Sequence, residues 1–288
     1  MPRFYAWSEY LVININLIYK IPDDMSFRIA AALSYNYLTA YILLFELGGI
    51  KNGQSVLYHS AGGGVGMAIT QLLKLVNNVR SIGTCSKNKF DALKHHVNHL
   101  IESNTDYVSE VRKICPEGVD LVLDCLSGEN TNKGIGLTKP LGKYIIYGIS
   151  KNLDGESKNY LALAKNWWHV DKVSPLKLYQ ENRSLSGFNL HSFLFNQSFN
   201  SRRYIIDIYS KLFGLYRDGS GNHEAEKSKV AVPSISNSYD APPFSLSETI
   251  AKHVGLSLFN AKSSFTSSSN NSLRDICPYL SVEIPSIK

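Results

Sequence analysis

Cysteine is scarce and unpatterned. The four thiols, Cys85, Cys115, Cys125 and Cys277, form no C-x-x-C pair and no Cys/His set at zinc spacing. With no signal-peptide pattern, that usage predicts a reducing, cytoplasmic setting rather than a disulfide scaffold. Charge of one sign is equally thin. The net charge is +6 over 288 residues, without the Lys/Arg stripe and interleaved aromatics that nucleic-acid binding needs, so no nucleic-acid partner is expected. Long hydrophobic runs are missing but for one, Ala30 to Leu47. That run is barely long enough to cross a bilayer and contains Ser34, Asn36, Thr39 and Glu46, so it reads as a buried helix pair. No internal repeat is present, and His95, His96 and His99 read as surface residues rather than as metal ligands.

What the chain does have is a knot of glycines. Ser55-Val56-Leu57-Tyr58 enters His59-Ser60-Ala61-Gly62-Gly63-Gly64-Val65-Gly66 and leaves as Met67-Ala68-Ile69-Thr70-Gln71-Leu72-Leu73, apolar at helical spacing. Strand, tight turn and helix in that order present backbone N–H groups to a phosphate. Set against G-x-G-x-x-G, the run is Ala61-x-Gly63-x-x-Gly66, with alanine at the first position. A glycine-rich turn without a ligand is the plain alternative.

Signals then alternate. Strands are expected at 55–60, 79–84, 98–102, 119–125 and 143–149, with helices at 65–76, 88–95, 105–114 and 130–138 between them. That alternation predicts an α/β fold, a doubly wound (Rossmann) parallel sheet wrapped by helices. Further helices are expected at Tyr160 to Trp168, Pro175 to Asn182 and 199–217, and a sixth strand at Leu185 to Leu190. Before the glycine knot, Pro22-Asp23-Asp24-Met25-Ser26 is a turn with Ser26 as a helix cap. Positions 263–272 are low-complexity and are expected to be disordered.

The end of the second strand separates the dinucleotides. An NAD site places Asp or Glu there for the ribose hydroxyls, whereas a 2′-phosphate needs hydroxyls and a cation. This chain reads Gly83-Thr84-Cys85-Ser86-Lys87-Asn88-Lys89, with no acid before Asp91. Ser86 can donate a hydrogen bond and Lys87 or Lys89 can supply charge, which favours NADPH. The missing acid also counts against an S-adenosylmethionine methyltransferase. Asp120 and Asp124, four apart on one strand, share a face, but the first reads as a strand start and the second as a cap on its end. Cys125 reads as a buried thiol. Trp167-Trp168 either wall an apolar pocket or fill core.

Ile21-Pro22-Asp23-Asp24-Met25-Ser26, Leu38-Thr39-Ala40-Tyr41, the segment His59 to Gly66 and Gly118-Val119-Asp120-Leu121-Val122-Leu123-Asp124 together resemble zinc-free medium-chain dehydrogenase/reductases of the quinone oxidoreductase group. Lys139-Pro140-Leu141-Gly142, Trp167-Trp168 and Pro175 to Asn182 are similar to its vesicle amine transport protein homologue-like branch. The resemblance spans roughly residues 5 to 218. It implies an enzyme passing hydride from NADPH to a quinone or an activated alkene such as an enone. It also implies that residues 1–21 are a remnant of a GroES-like catalytic domain, the chain being N-terminally truncated. Residues 22–218 would be the NADP-binding domain, 219–260 an insertion and degenerate return segment, and 261–288 a disordered tail.

Carried over by motif, Asn36 and Thr39 would sit near the nicotinamide, and Gly63, Gly64, Val65 and Gly66 would hold the diphosphate. Thr84, Ser86 and Lys89 would form the 2′-phosphate end, and Tyr147-Gly148 the nicotinamide end. Ser34 departs from a family proline and Glu102 from a family tyrosine. No residue is assigned as a catalytic acid or base, and no metal is expected. A rival reading from another class is a noncatalytic NADP-binding or interaction protein at vesicle membranes. Peripheral membrane association and a homodimer are the further partner expectations.

Overall fold

A computed structural model describes residues 10–149, 173–195, 199–220 and 279–283. The chain divides into two compact units, the first from residues 1–38 and 191–288 and the second from residues 39–190. The helix at Tyr160 to Trp168, the Trp167-Trp168 pair and the low-complexity stretch 263–272 lie outside the described residues.

In the first unit, β1 (Tyr10–Asn14) pairs antiparallel with β8 (Tyr279–Glu283), Tyr10 opposite Glu283. A strand thus falls inside the stretch expected as a disordered tail. Its sequence, Tyr-Leu-Ser-Val-Glu, is aromatic and β-branched enough to join a ladder once a partner strand is offered. Helix Phe199–Ser220 is amphipathic and extends into the insertion expected from residue 219. Its Ile205, Ile208, Tyr209 and Leu212 are buried. Tyr209 meets the edge of Tyr19 with ring centroids 5.1 Å apart and donates to the Ser34 carbonyl at 2.9 Å. Arg202 donates to the Ile15 and Ile18 carbonyls at 2.9 and 3.0 Å and lies 5.4 Å over the Tyr19 ring.

One helical run, α1 (Phe27–Leu47), replaces the expected helix pair. Ser26 caps it, accepting from the Ile29 amide. Neither glycine nor proline interrupts it before Gly48, and Ser34 bonds back to the Ala31 carbonyl at 3.2 Å. The run absorbs the junction by widening to π-type turns at Leu33–Tyr37 and Ile42–Leu47. By length and composition α1 could cross a membrane, but its Leu33, Leu38, Leu43 and Leu44 are fully buried, which is a core helix. It ends at Gly48 and Gly49, the latter at φ 59, and Lys143 donates to the Leu47 carbonyl at 3.1 Å.

The second unit is built on a six-stranded parallel sheet. Its strands are β2 (Ser55–Tyr58), β3 (Arg80–Cys85), β4 (His99–Glu102), β5 (Val119–Asp124), β6 (Thr138–Ile146) and β7 (Ser184–Gly187). Their order across the sheet is β4-β3-β2-β5-β6-β7, all pairs parallel. Crossovers are α2 (Gly64–Leu73), α3 (Phe90–Leu93), α4 (Tyr107–Ile114) and α5 (Glu129–Leu137), with α6 (Pro175–Glu181) before β7. Every residue of β2 is buried, as a central parallel strand covered on both faces requires. On one face Leu57, Ile82, Val122 and Tyr144 pack with Val111 and Ile135 of α4 and α5.

Boundaries move where local geometry overrides periodicity. Strand β2 stops at Tyr58 rather than residue 60, because Ser60 turns left-handed at φ 57. The expected helix 88–95 contracts to a 3₁₀ turn, Lys87–Lys89, and the single turn α3. Strand β6 starts at Thr138, not residue 143, with a register shift against β5 that takes up Lys139 to Gly142.

Candidate functional site

The strand order is the doubly wound order 3-2-1-4-5-6 when β2 is taken as the first strand. The order in which strands are added reverses between the parallel neighbours β2 and β5, so a crevice opens at their carboxyl ends. The glycine loop leaves β2 at that point. The Ala61 amide donates to the Thr84 carbonyl at 2.8 Å, tying the loop to β3, and the Gly63 amide donates to the Ser60 carbonyl at 2.8 Å. A Cβ at Gly66 would lie 2.4 Å from the Ser60 carbonyl oxygen and 2.6 Å from that of Ala61, so the helix reaches the loop only with glycine there. Alanine at the first fingerprint position has its own explanation. A Cβ at Gly83 would lie 2.8 Å from the Ala61 methyl, so glycine on β3 supplies the room that glycine at 61 usually gives.

Helix α2 begins at Gly64 with Gly63 as its cap residue, and no side chain covers its first turn. The first-turn amides of α2 thus lack a side-chain cap at the positive end of the helix. Lys89 is brought to this loop. Its Nζ donates to the Gly62 carbonyl at 3.1 Å, and its stem lies where a Cβ at Gly62 would be, 2.5 Å from Cδ. Ser86 is exposed and donates to Asn88 Oδ1 at 2.6 Å. Thr84 plays a different part. It is 2% exposed, and its hydroxyl pairs with His59 Nδ1 at 3.0 Å, beneath the loop rather than in the crevice.

The other wall comes from β5 and β6. Asp124 is fully buried, and its carboxylate accepts from the Leu126 amide at 2.6 Å, from the Ser127 amide at 3.2 Å and from the Tyr144 hydroxyl. These bonds hold a turn in which Ser127 and Gly128 are both left-handed, at φ 60 and 65. The Asp124 carbonyl accepts from the Tyr147 amide at 2.8 Å, and Gly148 lies against Cys125, where a Cβ would be 3.0 Å from the Cys125 carbonyl. Burial pushes the Cys125 thiol up, which keeps it a neutral, poorly nucleophilic group.

Asp120 and Asp124 do not form a carboxylate pair. They sit at opposite ends of β5, about 13 Å apart along the strand by its rise per residue. Burial alone would raise Asp120, but Lys139 at 2.7 Å and the Ser55 amide and hydroxyl at 2.8 Å hold its carboxyl below the ordinary range. His95, His96 and His99 are exposed, and among the described residues no group of three His, Cys, Asp or Glu side chains converges.

The structure thus brings Gly63 to Gly66, Ser86, Lys89, Tyr147 and Gly148 to the carboxyl end of one sheet, with Thr84 supporting them from below. Thr39 belongs to the same unit, on α1, and is 4% exposed. Asn36 belongs to the first unit, partly buried on the Leu33–Tyr37 turn. Residues the pattern passed over are His59, whose ring meets Tyr107 edge-on at 4.9 Å, and Tyr144. His59 opens the glycine loop and Tyr144 sits within β6, and only the folded structure shows their buried contacts.

Sheet order, switch point and glycine loop define the dinucleotide-binding class of α/β domain. A family profile described as "Zinc-binding dehydrogenase" matches residues 64–197. The human "Synaptic vesicle membrane protein VAT-1 homolog-like" is 51% identical over 214 residues, covering 74% of this chain and 51% of that protein. The crystal structure of the human VAT-1 homolog-like protein superposes with TM-score 0.56 at 44% identity, covering 69% of this chain and 53% of that one. The nucleotide-binding subdomain of the enoylreductase domain of PpsC from Mycobacterium tuberculosis superposes with TM-score 0.50 at 27% identity, covering 66% of this chain and 96% of that one. The profile and these relatives support a quinone oxidoreductase-like protein of the medium-chain dehydrogenase/reductase type. It spans about half the length of the curated VAT-1-type relatives it matches.

Proposed function

We propose that this chain binds NADPH and serves hydride transfer to a quinone or an activated alkene. The observation that carries the reading is Lys89 lying across Gly62 at the end of an acid-free β3. A 2′-phosphate placed beside Ser86 would take the Lys89 ammonium from the Gly62 carbonyl, exchanging a neutral acceptor for an ionic one. A ribose without that phosphate gains nothing from the exchange. The loop fits a diphosphate, since side chains are missing where Gly63 and Gly66 meet Ser60, and the first-turn amides of α2 lack a side-chain cap.

When bound, NADPH supplies hydride from C4 of its nicotinamide. This chain's part is to hold and orient. Gly63 to Gly66 would fix the diphosphate, Ser86 and Lys89 the adenosine end, and Tyr147-Gly148 the nicotinamide end. With no acid or base assigned, positioning is the catalytic contribution expected of these residues. The enoyl-reductase and quinone-oxidoreductase type of chemistry enters this reading from the names of structural neighbours, as does the small-molecule class of substrate.

A second reading is favoured by one observation, the name "synaptic vesicle membrane protein" carried by its relatives. In it the chain binds NADPH without turnover and associates with a membrane surface. Fluorescence titration with NADPH, followed by a quinone, separates the two. Binding with oxidation of NADPH supports the enzyme, binding without oxidation supports the second reading, and no binding contradicts both.

A further inference from the structure

We propose that Asp124 is a positioning residue, locking the β5 turn and the β6 exit into one wall for the nicotinamide half of the dinucleotide. The proposal rests on the NADPH reading above and goes beyond it. Asp124 is the point at which two strand ends are joined. Its carboxylate accepts from the Leu126 and Ser127 amides on its own turn and from the Tyr144 hydroxyl on β6. Its carbonyl accepts from the Tyr147 amide, where β6 leaves the sheet. The next residue, Cys125, carries Gly148 against its backbone and donates to the His59 carbonyl at 3.7 Å. Asp124 therefore joins the ends of β5 and β6, and its neighbour Cys125 extends the link to the end of β2.

The arrangement costs too much to be a filler. Asp124 is fully buried, and among the described residues no Lys, Arg or His forms an ion pair with it. A buried carboxylate held by neutral donors is expensive, and an apolar residue at this strand end would cap the core at less cost. What an apolar residue could not do is hold Ser127 and Gly128 in consecutive left-handed conformations beside the crevice. The hydroxyl of Tyr107, buried and without a hydrogen-bond partner, lies in the same network, its ring against His59. The adenosine end, at Lys89 and Ser86 on the far side of β2, shares none of these bonds.

That separation gives the test. NADPH spans both ends, whereas adenosine 2′,5′-bisphosphate reaches only the adenosine end. In the full chain, Asp124→Asn should raise the Kd for NADPH about tenfold and leave that for adenosine 2′,5′-bisphosphate within about twofold. Tyr144→Phe keeps the turn bonds and the Tyr147 amide bond and removes only the side-chain link to β6, so it should shift NADPH the same way by about threefold. This milder variant decides the matter if the first does not fold, as judged by its melting transition. Equal losses for both ligands, or no loss for NADPH, in a folded variant would overturn the positioning role while leaving the NADPH reading intact. Failure of the unmodified chain to bind either ligand would overturn both.

Discussion

Under the proposed reading, Lys89, which donates to the Gly62 carbonyl and packs its stem on Gly62, sets the choice of dinucleotide. Lys89→Glu should raise the Kd for NADPH at least about tenfold and that for NADH by no more than about twofold, as expected for a charge meeting one phosphate. Paired titrations check this, and equal losses would refute the 2′-phosphate assignment. Gly66 is a steric requirement instead. A methyl there meets two carbonyl oxygens at 2.4 and 2.6 Å, so Gly66→Ala should push α2 off the loop and lower the melting temperature as well as affinity. A variant that melts like the parent would show that the loop yields. Asp120 tests the other end of β5. Its folded pKa is lowered, so its stabilisation is full above the unfolded value of about 3.9. It is lost as pH falls through the folded value. Asp120→Asn should flatten the decline of melting temperature on acidification, and an unchanged acid limb would contradict the assignment.

At the scale of elements, the sheet was legible because apolar runs of strand length alternate with helical spacing from Ser55 to Ile146. The central strands β2 and β5 carry the apolar runs Val56-Leu57-Tyr58 and Leu121-Val122-Leu123, and a parallel sheet covered on both faces leaves that mark. What the pattern hid was geometry that apolar spacing does not encode. Ser60 ends β2 by taking a left-handed turn, and α1 crosses an expected break by π-type turns at Ser34. Before α1 the chain forms a 3₁₀ turn, Ile15–Leu17, and Arg202 binds the Ile15 and Ile18 carbonyls across a long separation in sequence. Arg202→Ala removes both bonds and the cover over Tyr19. Amide exchange of residues 15–19 should then quicken about tenfold with the parallel sheet unaffected, and unchanged exchange of residues 15–19 in the variant would contradict that role.

At the scale of the molecule, the sequence yields the two ends of the dinucleotide site unevenly. Glycines and the missing acid of β3 are visible as residue types at fixed spacing. The β5–β6 wall is not, because Asp124, Tyr144 and Tyr147 meet only after a crossover and a register shift in β6. The chain spans about half of the curated VAT-1-type relatives it matches, so binding is the activity its own residues argue for most directly. Titration of the full chain with NADPH and NADH, followed by nucleotide fluorescence, tests that claim. The structure predicts saturable binding with NADPH favoured by about tenfold or more, the contribution expected of one charge-assisted phosphate contact. Equal affinity for the two nucleotides, or no saturable binding of either, would contradict it.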